Sequence, residues 1–410
     1  MTNNSLYQQI IEEKNIQAAY LEVYESFLKK SAVYDYDVID AEQIHHTELY
    51  LAEFLDQIRQ ELIEQTPMRI AQSIAIPKKN GKTRKIYMLP VRERVKCQAI
   101  YRILQIHLKP TYSKYLYSFR SERPSYYALR SLRRFYLSNL NKGYHILKTD
   151  FKDYSDHIDK TILINKLSSL GVDSQTLSLV QQFIEIPFIR GGELMSMLGG
   201  TMQGIPLVSL FNNIYMSQID EKLGAESEFY RRVGDDVIVI DRDLNKLQQS
   251  LTYIKSESQI MKIILNQEKT ILQPLELLFE YLGLAFEKGL VFIPHSKIQK
   301  ITAELKVKFK SNSKLSSTAK LSRLRRLLMV NGHGISNVFQ SIVNPHNLVH
   351  DTKHLQSISL RVMKIIWAYL GGGFTGKKLK QGRKILQSSQ LRLQSLFSHF
   401  SNRIYQAKED

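Results

Sequence analysis

Three carboxylates carry the chemistry this chain can be expected to do. Asp235 and Asp236 stand side by side in FYRRVGDDVIVI (229–240), immediately ahead of the β-branched run Val237, Ile238, Val239 and Ile240. Neighbouring negative charges at the edge of a buried strand repel each other with little water between them. Such groups must be paired, protonated or bound to a cation. A third, Asp150, closes the stretch YHILKTD (144–150), which reads as a strand. Two acidic sites borne on strands can share a pair of divalent ions about 3.5–4 Å apart, the arrangement polymerases and nucleases use for phosphoryl transfer. Mg²⁺ prefers oxygen donors, and two such ions offset the repulsion among three carboxylates. Taken alone, Gly-Asp-Asp also serves as an ordinary turn, so the rest of the chain has to decide.

The elements that must position these groups show in the apolar periodicity. The 229–240 stretch predicts a β-hairpin turning at Gly234-Asp235. Residues 5–30 read as one helix, and 51–65 as a second, with Leu51, Phe54, Leu55, Ile58, Leu62 and Ile63 at helical spacing. In SIAIPKKNGKTRKIYML (73–89) two apolar stretches flank Asn-Gly, a hairpin signal. Helices are predicted over 93–112, 173–186 and 247–263. PFIRGGELMSMLGGTMQG (187–204) reads as glycine-rich turns leading into a helix from about Pro206. Residues 278–293 read as a strand pair turning at Lys288-Gly289. Everything after His295 reads as helical, with loops at 331–334 and 371–376. Helices, a basic hairpin, strands interleaved with helices and a basic all-α tail together predict an α+β body with a helical appendage.

Charge sharpens this division. The chain carries 57 Lys and Arg against 39 Asp and Glu, a net +18. From Lys297 onward there are 21 basic and four acidic residues, whereas the preceding 296 carry 36 and 35. The excess therefore belongs to the C-terminal region, as expected for a nucleic-acid-binding module. The single cysteine, Cys97, excludes disulfides and Cys-based zinc sites and points to a reducing, cytoplasmic setting. No apolar signal core or run of 18 apolar residues appears, so no membrane association is expected.

A family resemblance joins these pieces. FKDYSDHID (151–159), following Asp150, resembles the first catalytic motif of reverse transcriptases. GGTMQGIPLVSLFNNIYMSQID (199–220) is similar to their Q-G-x-P segment and its helix at Gln203, Gly204, Pro206, Leu207, Leu210, Asn213, Ile214 and Tyr215. YRRVGDD stands in the place of the Y-x-D-D box. MKIILNQEKT (261–270) resembles the later L-N-x-x-K-T motif, and FEYLGLAF (279–286) the primer-grip hairpin. Upstream, residues 76–104 and YSFRSERPSYYAL (117–129) resemble the fingers of group II intron and related bacterial enzymes. The motifs occur in family order, and the chain looks like the compact "unknown group", defence-associated kind, some of them linked to abortive infection by phage.

The resemblance implies a right-hand polymerase: N-terminal extension and fingers over 1–143, palm over 144–295, and a basic all-helical thumb over 296–410. It implies Asp150, Asp235 and Asp236 as catalytic residues, with Asp150, Phe151, Asp235 and Asp236 holding two Mg²⁺ (or Mn²⁺) ions. Nucleotide contacts fall to Lys79, Lys82, Arg84, Tyr154, Ser155, Gln203 and Lys269. Arg84 offers a forked guanidinium to phosphate, and Lys269 is a candidate general acid at the pyrophosphate. Lys297, Lys306, Lys308, Lys310, Arg323, Arg325, Arg326, Lys377 and Lys378 are the expected nucleic-acid contacts. The implied partners are deoxynucleotides, a DNA product, and an RNA template or structured non-coding RNA gripped by the basic region; a homo-oligomer or a second reverse transcriptase subunit is a further expectation.

Two departures stand out. Val233 replaces the usual tyrosine of the box. Ser155 stands where the family carries an aromatic against the ribose 2′-hydroxyl, leaving that role to Tyr154 if to any residue. Asp153, Asp156 and Asp159 read as one polar face. GGGFTGKK (371–378) lacks the Ser or Thr of a phosphate loop and reads as a basic loop. His346, His350 and His354, four apart, read as surface histidines. The competing readings are an RNA-dependent RNA polymerase, to which GDD and Ser155 both point, and a non-catalytic RNA-binding scaffold. A third is template-independent or protein-primed synthesis.

Overall fold

Helix α1 (Leu6–Ile10) is capped by the Ser5 side chain and α2 (Glu13–Lys29) follows it, so the single helix expected over 5–30 is broken. Ile10, Ile11 and Ile16 around the break are all buried, and the Tyr7 N–H, unpaired within the first turn of α1, donates to Asp173 Oδ2 at 3.1 Å. The computed structural model describes residues 4–29, 46–77, 83–309, 315–329, 348–349 and 352–388. It divides into two compact units: Met1–Ser125 with His145–Gln273, and Tyr126–Tyr144 with Pro274–Asp410.

In the first unit, α3 (Leu51–Ile63) buries Phe54, Ile58 and Leu62, three positions of the predicted apolar stripe. Strands β1 (Ala71–Pro77) and β2 (Thr83–Met88) pair antiparallel, as expected of the Asn-Gly hairpin, and α4 (Val91–Leu108) follows. Helix α5 (Ser125–Ser138) leads into the second unit. The chain returns as β3 (His145–Thr149) and β4 (Phe151–Lys152), then α6 (Lys160–Ser169) and α7 (Ser174–Glu185). Here the reading of 187–204 as turns alone is corrected. β5 (Phe188–Arg190) and β6 (Glu193–Met195) form a hairpin around Gly191-Gly192, both at positive φ, and β5 joins β1 in parallel. Three-residue strands are too short to display alternation, so their pairing comes from β1.

Helices α8 (Leu207–Tyr215) and α9 (Ser217–Glu226) meet at Met216. The central sheet runs β10-β3-β8-β7, with β7 (Phe229–Val233), β8 (Asp236–Asp241) and β10 (Ile271–Pro274). Helix α10 (Leu244–Ile260) packs on β3 and β8. Val237, Ile238, Val239 and Ile240 are fully buried, the outcome anticipated from their run of branched side chains. β9 (Ile264–Leu265) pairs with β4.

The second unit holds a three-stranded meander, β11 (Phe279–Tyr281), β12 (Leu284–Glu287) and β13 (Leu290–Phe292), where a two-stranded pair was expected. The additional turn is Leu282-Gly283, both at positive φ, a conformation leucine seldom adopts and so seldom signals. Tyr136 of α5 packs edge-on against Phe279 and Phe286 and accepts a hydrogen bond from the Gly289 N–H at 2.9 Å. The described remainder is helical, as predicted: α11 (His295–Lys308), α12 (Ser317–Met329), and the helices Thr352–Gly371 and Gly376–Ser388. Among the described residues no helix is long and apolar enough to cross a membrane.

Candidate active site

Adjacent strands bring the three aspartates together. β7 and β8 close on the pair Val233–Asp236, leaving Gly234-Asp235 as the two-residue turn, with Gly234 at φ +64°. β3 runs antiparallel to β8 with Thr149 opposite Val237. Asp150 and Asp236 are the next residues outward on those strands, and Asp150 is only 6% exposed. Rather than ending a strand, Asp150 sits at the junction between β3 and β4.

The electrostatics record this crowding. Burial first, then Asp235 and Asp150, push the Asp236 carboxyl up to about 6, although Lys148 and Lys269 pull the other way. Asp235 is likewise raised, mainly by burial and further by Asp150. Lys269 answers part of the charge by donating to Asp150 Oδ2, which raises its own pKa. The other oxygen, Asp150 Oδ1, is buried without a hydrogen-bond partner.

Among the described residues no three His, Cys, Asp or Glu side chains already converge as a ready metal site. The group on offer still fits a hard divalent cation. It is all oxygen, mutually repelling, and includes one buried oxygen with nothing bound to it. Phe151 has an apolar side chain that is 2% exposed, so only its carbonyl has a ligating atom to offer.

The segment 266–270 fastens the β3–β4 junction. The Asn266 N–H donates to the Asp150 carbonyl at 2.9 Å, Phe151 pairs with Leu265, and the Thr149 and Thr270 hydroxyls meet at 2.7 Å. On another side lies the glycine-rich segment. Gly200, at φ +79°, sits so close to Asp156 that a Cβ would come 2.6 Å from the Asp156 carbonyl oxygen. Thr201 N–H donates to the Ser155 carbonyl at 2.8 Å. The Gln203 carbonyl accepts from Tyr87 N–H at 2.9 Å, which ties this segment to β2. A Cβ on Gly204 would come 2.9 Å from Ile86.

Arg84 is exposed on β2, opposite Ile76, while Lys79 and Lys82 lie outside the described residues. Tyr154 needs correcting as a nucleotide contact. It is 5% exposed, its hydroxyl donates to the Asn212 carbonyl at 3.0 Å, and it packs against Phe151 and Tyr215. It is a core residue. Ser155 is half-buried, its hydroxyl 3.3 Å from Asn212 Nδ2. Asp153 and Asp156 are exposed and Asp159 is half-buried, while Tyr154 and Ile158 between them turn inward, in keeping with the polar face read for the three. Asp153 is left-handed, and Asp159 caps α6 and pairs with Lys262 at 2.6 Å.

In the second unit, Lys297 donates to the Gly283 carbonyl at 3.3 Å, and Lys378 to that of Gly372 at 3.3 Å. Lys306 lies 5.8 Å from the Phe374 ring, and Lys377 is exposed. Lys308 falls in α11, and Arg323, Arg325 and Arg326 in α12; Lys310, His346 and His350 lie outside the described residues. The basic loop read in GGGFTGKK is corrected: only residues 372–375 lie between helices, while Gly376, Lys377 and Lys378 form the first turn of the helix Gly376–Ser388.

Sequence reasoning missed Arg232 and Asp220, which form a fully buried ion pair at 2.6 Å behind the turn. The available signal was position. Arg232 alternates with Tyr230 on the inward face of β7, a place where a charge needs a partner.

This constellation finds its family in comparison with known proteins. Residues 76–286 match the reverse transcriptase (RNA-dependent DNA polymerase) family, about half of the chain, and the protein belongs to that family. Among curated relatives, the group II intron-encoded protein LtrA of Lactococcus lactis subsp. cremoris is 22% identical over 200 residues, 47% of this chain and 33% of that protein. Protein YkfC of Escherichia coli (strain K12) is 24% identical over 155 residues, 37% of this chain and 40% of that one. The match thus spans less than half the length of either relative. Among solved structures, telomerase from Candida albicans in complex with a fragment of telomeric RNA aligns with 90% of this chain and 69% of its own, at 15% identity and a TM-score of 0.46.

Proposed function

We propose that this protein is an RNA-directed DNA polymerase that extends a 3′-hydroxyl with deoxynucleotides on an RNA template. The observation that carries the reading is the meeting of Asp150 with the Gly234-Asp235-Asp236 turn, with Lys269 on the Asp150 carboxylate. Family membership and the tie between Gln203 and β2 support it.

In the reaction, the primer hydroxyl oxygen forms a bond to the α-phosphorus and pyrophosphate leaves. Asp150, Asp235, Asp236 and the Phe151 carbonyl would hold two Mg²⁺ ions, or Mn²⁺ in their place. Bound there, such ions acidify the hydroxyl and neutralise the triphosphate. Arg84, exposed on the fingers hairpin, would grip phosphate oxygens with its forked guanidinium. Lys269 stands where it can leave Asp150 once that carboxylate is otherwise satisfied, and pass a proton to the departing pyrophosphate. The glycines at 200 and 204 let backbone approach closely where a Cβ would intrude.

In this reading, fingers (1–143), palm (144–295) and a basic helical thumb (296–410) divide the work, the thumb holding nucleic acid by phosphate contacts. The resemblance to compact bacterial reverse transcriptases supports an enzyme of the antiphage-defence kind, acting in the cytoplasm with a dedicated non-coding RNA. One observation favours ribonucleotides instead: with Tyr154 buried and Ser155 small, neither of these two positions offers an aromatic side chain to reject a 2′-hydroxyl. Primer extension on an RNA template with labelled dNTPs and rNTPs offered separately decides between the two. Extension with dNTPs, abolished in Asp235→Ala/Asp236→Ala, is expected. Efficient extension with rNTPs alone would overturn the assignment.

A further inference from the structure

Behind the Gly-Asp-Asp turn lies an arginine with no contact to the reacting groups. We propose that Arg232 is a positioning residue: it clamps the turn bearing Asp235 and Asp236 to the helix that leads out of the glycine-rich segment, and so sets where the carboxylates stand. The inference rests on reading this centre as a polymerase site.

The geometry is complete. Arg232 is 0% exposed, and each of its five N–H groups is engaged. Nε donates to Asp220 Oδ1 at 2.7 Å and Nη2 to Asp220 Oδ2 at 2.6 Å. The second Nη2 hydrogen goes to the Asn213 carbonyl at 2.9 Å. Nη1 donates to the Asn212 carbonyl at 3.3 Å and to the Gly234 carbonyl at 2.9 Å. Asp220 is 1% exposed and also accepts from the Tyr230 hydroxyl at 2.7 Å.

Each acceptor has a physical reason to be there. Asn212 and Asn213 lie in the last turn of α8, where carbonyls lose their intrahelical partners and a cation meets the negative end of the helix dipole. Met216 separates α8 from α9, so the Asp220 carboxylate on α9 closes the cage from a different element. Gly234 belongs to the turn itself.

The same two asparagines reach further. Asn212 Nδ2 lies 3.3 Å from the Ser155 hydroxyl, and Asn213 Nδ2 donates to the Ser118 carbonyl at 2.9 Å. At its other end α8 begins directly after Gln203, Gly204, Ile205 and Pro206. One rigid nine-residue helix therefore connects the Arg232 cage to the segment expected to receive the nucleotide. A buried ion pair adds little net stability over apolar residues of the same shape, because desolvation offsets its attraction. What it fixes is geometry, and lysine, a point charge with three donors, cannot reproduce the five-pronged reach.

The neighbouring Arg231 provides a control. It is half-buried on the other side of β7, over the rings of Phe229 at 4.3 Å and Tyr117 at 5.6 Å, and makes none of the cage contacts. The test compares full-length Arg232→Lys, Asp220→Asn and Arg231→Lys with the parent. Single-nucleotide incorporation, Mn²⁺ binding by electron paramagnetic resonance, amide exchange over 233–236 and thermal melts are measured.

For Arg232→Lys and Asp220→Asn, kcat and Mn²⁺ affinity should each fall about 10- to 100-fold, the loss common for residues that orient metal-binding groups. KM should change little, exchange in the turn should quicken, and the protein should remain folded at the assay temperature. Arg231→Lys should match the parent. Parent-like kcat and Mn²⁺ affinity in Arg232→Lys would overturn the proposal, as would losses that only track the unfolded fraction. Should either variant fail to fold, Tyr230→Phe removes one bond to Asp220, and an unchanged kcat and exchange rate there would overturn it equally. Were the parent to incorporate no nucleotide on any template, the polymerase reading would fail. The positioning role would then be judged by Mn²⁺ binding and exchange, which need no nucleotide chemistry.

Discussion

Replacing Asp236 by Asn should make the metal-free protein more stable while abolishing its chemistry. Burial and the charges of Asp235 and Asp150 raise the Asp236 carboxyl from 3.8 to about 6. A raised carboxylate pKa means that the folded state holds a proton the unfolded chain gives up. Below about pH 4 both states are protonated and the group is neutral to stability. Between about pH 4 and 6 native stability declines as pH rises, and above about pH 6 the full cost is present. At about 1.4 kcal/mol per pKa unit that cost is at most roughly 3 kcal/mol, and solvent screening of a partly exposed carboxylate reduces it to about 1–2. Asn keeps the shape and removes the charge. At about 2–4 °C per kcal/mol, Asp236→Asn should raise the melting temperature by roughly 2–8 °C at neutral pH.

The assay is a series of thermal melts in EDTA from about pH 4 to 8, for the parent and Asp236→Asn. The informative quantity is the difference between them, because the titrations of groups not coupled to Asp236 cancel. It should be near zero at the acid end and grow through about pH 6. Adding Mg²⁺ should stabilise the parent and narrow the gap from above. A difference that ignores pH, or that favours the parent in EDTA at neutral pH, would refute the view that this carboxylate is held under repulsion awaiting a cation.

Gly200→Ala places a Cβ 2.6 Å from the Asp156 carbonyl oxygen at a left-handed φ, so a loss of about 1–3 kcal/mol is expected in denaturant melts. An unchanged midpoint would show the contact to be relaxed in solution. Arg84→Ala, on an exposed strand position, should leave the melt unchanged and raise the KM for nucleotide roughly 10- to 100-fold, the loss expected for one charge-assisted contact to phosphate. A fall in kcat with KM intact would place Arg84 elsewhere in the cycle. Neutralising Lys377, Lys378, Lys380, Arg383 and Lys384 to Gln should flatten the dependence of log K on log salt for single-stranded RNA by about 0.7 for each phosphate contact removed. An unaltered slope in filter binding would exclude that helix from the interface.

Much of the site was legible because its signals are local. The Gly-Asp between two apolar runs determines the β7–β8 hairpin, since glycine takes the positive φ the turn needs and branched side chains favour the strands. The Asn-Gly signal likewise anticipated the antiparallel pairing of β1 with β2. The order of motifs along the chain was sufficient to place Asp150, the glycine-rich segment and Lys269 in one expected centre. Where elements are too short to show a period, as in β5 and β6, or turn at an unsuited residue such as Leu282, the sequence was silent.

What only tertiary structure decided is which side chains face one another. Tyr154 and Ser155 are equivalent candidates on paper, yet burial takes Tyr154 into the core and leaves Ser155 beside Asn212. Arg232 shows in the sequence only as a charge on the inward face of a strand, and its partner appears only when Asp220, on a helix and 12 residues away, closes on it away from solvent. Residue type and spacing determine local conformation, because backbone torsions respond to near neighbours. Desolvation and charge pairing depend on what the folded chain brings from a distance, and that is why the carboxylates could be read from the sequence while the arginine that holds them could not.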